Sequence, residues 1–464
     1  MQKVRILIPL TIQFSVRYIL RTGLLSRIKN YADPIIILGW EEPELKCELE
    51  QLGIEVHQNP GKQEGLHYSR TRKRIDLWHF DHLGSPSTAI DRRRNALDRS
   101  RKILIRNGLR DSYYRLSTAN SLLVKNAQDE EDKLLRTETN FQQHLKLIEL
   151  IKPDAVLSIT PYLFEEELLL RAANIFGSKI IASILSFDNI TTRGWMPLIF
   201  DQYCLWNHFN KNELLRIYPD ASKKPIHIVG APQFDFYYDP TYIWNETDWR
   251  RNLGVPQNAP IILFGSTGKV VAPHEEQWVY DLDQAIEKKQ IKDDPIILMR
   301  SHPVDPASRW EPLRKITRHV VYEVPWKLGK KIPAQTNIMR EDIEKLTSTL
   351  KYSAVHINAS STMTVDGAIF DRPQIGPAYD PDKKYDRSAR ELYLREHYLP
   401  ITNSGGLEIA YNKFDLAEMV NQSLEEPDLL HEGRKKIISE ICTYDDGRST
   451  ERVANAIFDF VTIG

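Results

Sequence analysis

The chain has 464 residues, 41% of them hydrophobic and 27% charged, with a formal net charge of −1. That length exceeds what one ordinary core holds and suits two domains; the near-neutral balance gives no general reason to expect nucleic acid as a partner. Cys47, Cys204 and Cys442 stand far apart, which argues against a disulfide framework or a cysteine metal site and fits a reducing cytoplasm.

The N-terminus, "MQKVRILIPLTIQFSVRYIL", puts basic residues before an apolar run, as a signal peptide does. Gln13 and Arg17 interrupt that run and no small-x-small cleavage site follows, so Val4–Leu10 is predicted as a first strand. No apolar run approaches the roughly 20 residues that span a bilayer. "PIIILGW", "AVLSIT", "KIIASIL" and "YCLW" read as further buried strands, followed by "IHIVGAP". Between them lie helical patterns such as "YLFEEELLLRAANIFG", ended by Gly177. The rhythm restarts with "APIILFGS", "PIILMRSHP", "HVVYEV", "AVHINAS" and "RPQIGPA". Apolar strands alternating with helices predict parallel sheets covered on both faces. The fold class expected is α/β: two Rossmann-like domains facing a cleft, with a helical insertion in the first. The aromatic- and Pro-rich stretch from Asp235 to Asn258 marks the boundary. The predicted domains are residues 1–235, with the insertion at 61–140, then 236–444, and a terminal helix in 445–464 that packs back on the first domain.

The insertion is polar and locally basic, with "RTRKRIDLWHFDHLGSP" and "DRRRNALDRSRKILIRNGLR" dominating it. Charge runs usually cover solvated faces. The sharper expectation is an acceptor or membrane-surface patch, because Leu97, Ile103, Leu104 and Leu109 interleave with the arginines. "HFDH", His79 to His82, lacks further ligands at a fixed spacing, so no metal site is expected.

In open α/β sheets, ligands bind beyond the carboxyl ends of the strands. In the second half those positions hold Gly265, Ser266, Thr267, Gly268 and Lys269, then Arg300 and His302, then Ser360, Ser361 and Thr362. This is the composition of an anion pocket. "FGSTGK" lacks the spacing of a Walker A loop, but its glycines permit close backbone approach and Lys269 adds charge. Ser361 or Thr362 would cap the helix "MTVDGAIF", whose free N–H groups would meet phosphate oxygens. Asp366, one turn later, suits ribose hydroxyls. His302 is the candidate donor to a phosphate or leaving group. In the first half "SFDNITTRG" puts Ser186, Asp188, Asn189, Thr191, Thr192 and Arg193 directly after an apolar strand, to face the second-domain turns. Glu165 to Glu167 read as the acidic first turn of a helix, with a structural role.

These segments resemble known families. The two halves, with the nucleotide in the second, resemble the GT-B superfamily of glycosyltransferases. "HINASSTMTVDGAIFDRP" resembles the Ser-Ser-x-x-x-Asp segment, with a following Arg/Lys-Pro, of CDP-glycerol glycerophosphotransferases, with Ser361, Thr362, Asp366 and Pro373 in the matching places. "RSHP" resembles their Arg-x-His-Pro, which would put Arg300 and His302 on the donor phosphates. "VGAPQFD" resembles their Val-Thr-Gly-x-Pro-Arg-x-Asp, with Gln233 for the arginine. "SFDNITTRG" resembles the Ser-Trp-Asp-Asn segment of bacterial surface-carbohydrate transferases, with Phe187 for the tryptophan. The Trp-His-Gly segment of the glycerophosphotransferases is absent, which favours sugar transfer. The Ser-Gly-Gly turn of UDP-N-acetylglucosamine 2-epimerases, which share the fold, is absent too. The resemblance implies a cytoplasmic, metal-independent glycosyltransferase without a cofactor, acting on a nucleotide-activated sugar donor and a carbohydrate or lipid-linked acceptor, some of it on the inner face of the membrane. His302 would be catalytic with Asp188 as the base. Gln13, Arg17, Asn189, Thr191, Thr192 and Arg193 would face the acceptor. The alternatives are a CDP-alcohol phosphotransferase on the same fold and a non-catalytic binder of anionic polymers.

Overall fold

Apolar runs that alternate their side chains between two covered faces build the first unit. A computed structural model describes residues 3–61, 66–82, 85–96, 99–269, 271–330, 332–381 and 388–463. The chain divides into two units, Met1–Val229 with Thr450–Gly464, and Gly230–Ser449. Among the described residues, unit 1 carries a seven-stranded sheet: β1 (Val4–Leu10), β2 (Ala32–Leu38), β3 (Glu55–Gln58), β4 (Ala155–Ser158), β5 (Lys179–Ser183), β6 (Gln202–Leu205) and β7 (Ile226–Ile228). The strands are parallel in the order β3-β2-β1-β4-β5-β6-β7. Successive residues of β1 serve opposite cores, as a pleat requires. Ile6, Ile8 and Leu10 pack with Ile36, Leu38 and with Val453 and Ile457 of the terminal helix. Leu7 packs with Ile35, Phe141, Ile148 and Leu169 on the other side. The terminal helix, Ser449–Ile463, is tied to this unit through its backbone: Tyr31 Oη donates to the Ala454 carbonyl (3.0 Å) and Gln202 Nε2 to that of Ala456 (2.9 Å).

Unit 2 repeats the plan. Its strands are β8 (Ile261–Gly265), β9 (Ile296–Arg300), β10 (Val320–Glu323), β11 (Val355–Asn358), β12 (Gln374–Pro377) and β13 (Glu408–Ala410). They are parallel in the order β10-β9-β8-β11-β12-β13. In both sheets the direction of winding reverses beside the first strand, between β1 and β4 and between β8 and β11. That reversal opens the place where doubly wound sheets take ligands. The strand in "IHIVGAP" is shorter than that run. β7 ends at Ile228, and Pro232–Tyr238 forms a 3₁₀ helix, because proline presets a helical φ and has no N–H for a ladder.

The insertion forms helices Leu66–His82, Pro86–Ala96, Arg101–Ser117 and Ser121–Thr137. Not all of its charge faces water. Arg72 is buried; its guanidinium carbon stands 4.2 Å from the Trp195 ring centre, and Nη2 donates to the Trp195 carbonyl at 2.8 Å. It also approaches Glu167 (3.3 Å) and Glu131 (3.8 Å). Arg171 closes the network on Glu131 (2.8 Å), Glu167 (3.0 Å) and Asp132 (3.1 Å). His79 is buried against Tyr218, and burial pushes its ring down to about 4. The side chain of His82, and Leu97, lie outside the described residues. Among the described residues no group of three or more His, Cys, Asp or Glu side chains is placed to hold a metal ion. No described helix is long and apolar enough to cross a membrane.

Candidate active site

The carboxyl ends of β8, β9 and β11 are neighbours, so the turns that follow them meet. The first runs from Gly265 to Lys269. Buried Ser266 donates from Oγ to Glu275 Oε2 (2.6 Å), and the Thr267 N–H donates to Glu275 Oε1. Glu275 opens the helix Glu275–Glu287 and is itself wholly buried, with Arg309 Nη1 3.2 Å from Oε2. Burial pushes its carboxyl up to about 7, against the pull of Arg309 and of the two donors from the turn. The turn is joined to the one after β11 by Thr267 Oγ1, which donates to the Ala359 carbonyl at 2.9 Å. It is joined to the one after β9 by Gly268. There φ is +91°, and a Cβ would lie 3.2 Å from the His302 ring, so glycine is needed for both reasons. Gly265 likewise gives the Met363 side chain its room, since a Cβ there would fall 2.5 Å from Sδ.

His302 is half-buried, and its Nδ1 accepts from the Val304 N–H at 3.3 Å. A neutral ring that accepts at Nδ1 carries its proton on Nε2. Lys269 is exposed; its backbone N–H donates to Asp305 Oδ1 (3.3 Å), and among the described residues its ammonium has no ion-pair partner. After β11, Ser361 and Thr362 are half-buried. The Met363 N–H donates to Ser361 Oγ (3.3 Å), while Thr362 occupies the cap position of helix Met363–Ile369 without a side-chain cap bond.

Other residues expected in the site are engaged elsewhere. Arg300 is buried and donates from Nη1 to Glu323 on β10, which Lys345 also approaches at 3.2 Å. Ser360 holds a φ of +52° and donates to the Leu392 carbonyl at 2.9 Å; a non-glycine residue there is uncommon and is held by its surroundings. Asp366 is buried and accepts from Tyr237 Oη. Glu275, Arg309 and Tyr237 were missed from sequence. The signal for Glu275 was an acidic first turn, which reads as dipole complementation unless the strand-end serine is known to face it.

In unit 1 the corresponding turns gather hydroxyls around one acid. Thr11 Oγ1 donates to Glu166 Oε1 at 2.8 Å and lies 3.1 Å from Thr160 Oγ1; Ser158 and Thr160 donate to the same carboxylate. Glu166 is wholly buried, which pushes it up to about 7. Gln13 is also wholly buried, and Arg17 is buried with its guanidinium 5.4 Å from the Phe14 ring centre. Beyond β5, Asp188 is half-buried. Asn189 Nδ2 donates to its Oδ1 and Thr192 Oγ1 to its Oδ2, each at 3.2 Å. Asn189 accepts from Tyr162 Oη, Thr191 is buried and Arg193 is exposed.

Comparison with known proteins agrees with this architecture. No curated protein matches the chain. Among solved structures it is similar to S. aureus MnaA in its co-structure with UDP, at 12% identity over 99% of this chain and 98% of that one, TM-score 0.56. It is similar to the UDP-GlcNAc 2-epimerase of Neisseria meningitidis bound to UDP-GlcNAc, at 10% identity over 99% and 100%, TM-score 0.55. It is similar also to a glycosyltransferase of Rickettsia africae, at 14% identity over 99% of each chain, TM-score 0.52. At these identities the likeness is one of fold, the GT-B fold of two Rossmann-like domains. The sequence model of one family matches residues 204–459, more than half of the chain and all of unit 2. The chain therefore belongs to the family of CDP-glycerol:poly(glycerophosphate) glycerophosphotransferases.

Proposed function

We propose that the protein moves a sugar from a nucleotide-activated donor to a hydroxyl of a surface or capsular carbohydrate, or of its lipid-linked precursor. The observation that carries the reading is the meeting of three turns in unit 2, where Lys269 and the His302 ring flank the braced Gly265–Gly268 backbone. Fixed donors and a cation beside a developing negative charge stabilise a leaving diphosphate. In the proposed step the acceptor oxygen bonds to the anomeric carbon, and the bond from that carbon to the diphosphate oxygen breaks. The electron pair stays with the diphosphate, and Asp188 takes the acceptor proton. Lys269, the His302 Nε2–H and the half-buried hydroxyls of Ser361 and Thr362 meet the diphosphate, with no metal required. Asp366 would receive a ribose hydroxyl beside that of Tyr237. Arg300 would act at a distance, by holding the end of β9 through Glu323.

A second reading, transfer of phosphoglycerol from CDP-glycerol, is favoured by the description of the family itself. The two differ in the bond that breaks. Sugar transfer with a UDP-, GDP- or dTDP-sugar releases a nucleoside diphosphate. Phosphoglycerol transfer cleaves the anhydride and releases CMP. The test is to find the donor by the rise in melting temperature it causes. The released nucleotide is then identified after turnover with a polymer acceptor in EDTA. A nucleoside diphosphate is expected. CMP from CDP-glycerol would establish the second reading, and loss of turnover in EDTA would remove the metal-free scheme.

A further inference from the structure

The turn after β8 engages its main-chain N–H groups inside unit 2. The Ser266 N–H donates to the Arg300 carbonyl (3.0 Å) and that of Thr267 to Glu275. The Gly268 N–H donates to Ser266 Oγ and that of Lys269 to Asp305 Oδ1, each at 3.3 Å. All four are engaged before any anion arrives. What the turn brings to a diphosphate is therefore the Lys269 ammonium. The place of Lys269 depends on two buried carboxylates, Glu275 and Asp305, that hold the turn from either end.

One guanidinium holds both of those carboxylates. Arg309 ends the short 3₁₀ turn Ala307–Arg309, and its side chain is 3% exposed. Its Nη1 stands 3.2 Å from Glu275 Oε2 and donates to Asp305 Oδ2. Nε and Nη2 close on the two oxygens of Glu276 at 2.7 and 3.2 Å, and Nη2 also donates to the Ala272 carbonyl at 2.9 Å. The guanidinium carbon stands 4.8 Å from the centre of the Trp310 ring, which packs against the cation. The loop after β9 is drawn into the same strap, because the Asp305 N–H donates to the His302 carbonyl at 3.0 Å. A lysine would supply the charge at one point but not the planar fork that reaches several acceptors at once.

We propose that Arg309 is a positioning residue of the donor site: through Glu275 and Asp305 it sets the turn Gly265–Lys269, and with it the Lys269 ammonium that meets the donor diphosphate. Arg309 itself does not touch the donor. This role rests on the donor-site reading given above, and it is the same whichever bond of the donor breaks.

The probes are whichever of UDP, GDP, CDP and dTDP most raises the melting temperature, and its parent nucleoside. Calorimetry with each gives the factor by which the diphosphate tightens binding over the nucleoside. Arg309→Lys and Asp305→Ala should each lower that factor about tenfold or more, with nucleoside affinity within about twofold of wild type, because only the placing of the cation is disturbed. Glu276→Gln removes a carboxylate from the same guanidinium without touching the turn, and it should keep the factor. Asp305→Ala reads the strap from its other end and decides the matter should Arg309→Lys not fold. An undiminished factor in Asp305→Ala or in folded Arg309→Lys would overturn the assignment and leave the donor site standing. Equal weakening of nucleoside and diphosphate would overturn it too, since a merely structural role loosens both alike. So would a loss in Glu276→Gln as large as in the other two. A wild type that binds the diphosphate no tighter than the nucleoside would remove the donor-site reading, and this role with it.

Discussion

Glu166 and Glu275 occupy equivalent places in the two units. Each is a wholly buried acid in the first turn of a helix, held by hydroxyls from strand-end turns. A buried carboxylate is costly without partners, and Glu166 has three hydroxyl donors but no cation within ion-pair distance among the described residues. Its carboxyl is therefore held up to about 7, burial being the main cause. The sign follows from that direction. As pH rises from the ordinary carboxyl range towards about 7, the unfolded chain has already released this proton and the folded chain has not. Folding takes up a proton in that window, so stability falls as pH rises through it. Glu166→Gln removes the titration. Urea unfolding from pH 5 to pH 8 should show the wild type losing up to about 3 kcal/mol relative to Glu166→Gln. Parallel curves would mean that Glu166 is ionised throughout. Residue-scale reading from sequence has a firm physical basis where the main chain decides the matter, as at Gly268, which takes a φ of +91°. It was weaker where a distant partner decides. Arg300 has the right side chain at the right strand end, but Glu323, on the neighbouring strand, already takes its guanidinium.

At the scale of elements, strands and capped helices were legible because their signals are local. The helix Glu246–Leu253 begins at Asn245, whose side chain accepts from the Thr247 N–H at 2.9 Å. The first strand is an apolar run with no cleavage signal behind it. The insertion was legible as helices but not in its facing. "RTRKR" gives no sign that Arg72 turns inward while Arg74 pairs near the surface with Glu130. The inward choice follows from Glu131 and Glu167, which are themselves buried and need cations. Burial pushes the Glu131 carboxyl up, against the pull of Arg171 and Arg72. Removing one member of such a network leaves buried charge uncompensated. Arg72→Ala should destabilise the chain by about 3–5 kcal/mol, with loss of the cation–π contact to Trp195 included. Arg74→Ala, at a pair with an exposed partner, should cost about 1 kcal/mol or less. Equal midpoints for the two variants in urea would show that the insertion is not held by this network.

At the scale of the molecule, alternating apolar strands and helices implied doubly wound sheets, but strand order is a long-range property. It emerged only with the pairing of β1 to β4 and of β8 to β11. In the proposed reaction Asp188 serves the acceptor and His302 the leaving diphosphate. A base that removes the acceptor proton acts only when an acceptor is present. Asp188→Asn preserves size and keeps one of the two acceptor oxygens while removing the basic carboxylate, so it should lower kcat by about 10²–10⁴-fold with donor affinity nearly unchanged. His302, in the same proposal, serves the leaving group. His302→Ala should reduce kcat and donor affinity together, and it should reduce donor hydrolysis in the absence of acceptor, which Asp188→Asn spares. Measuring donor affinity by calorimetry and turnover with and without acceptor separates the two roles. Full turnover by Asp188→Asn would remove the inverting base and leave a retaining mechanism or phosphoryl transfer. Unchanged donor hydrolysis by His302→Ala would remove the histidine from the diphosphate. If both variants lost donor affinity equally, each would be acting on the bound donor, and the division of roles between the two residues would be wrong.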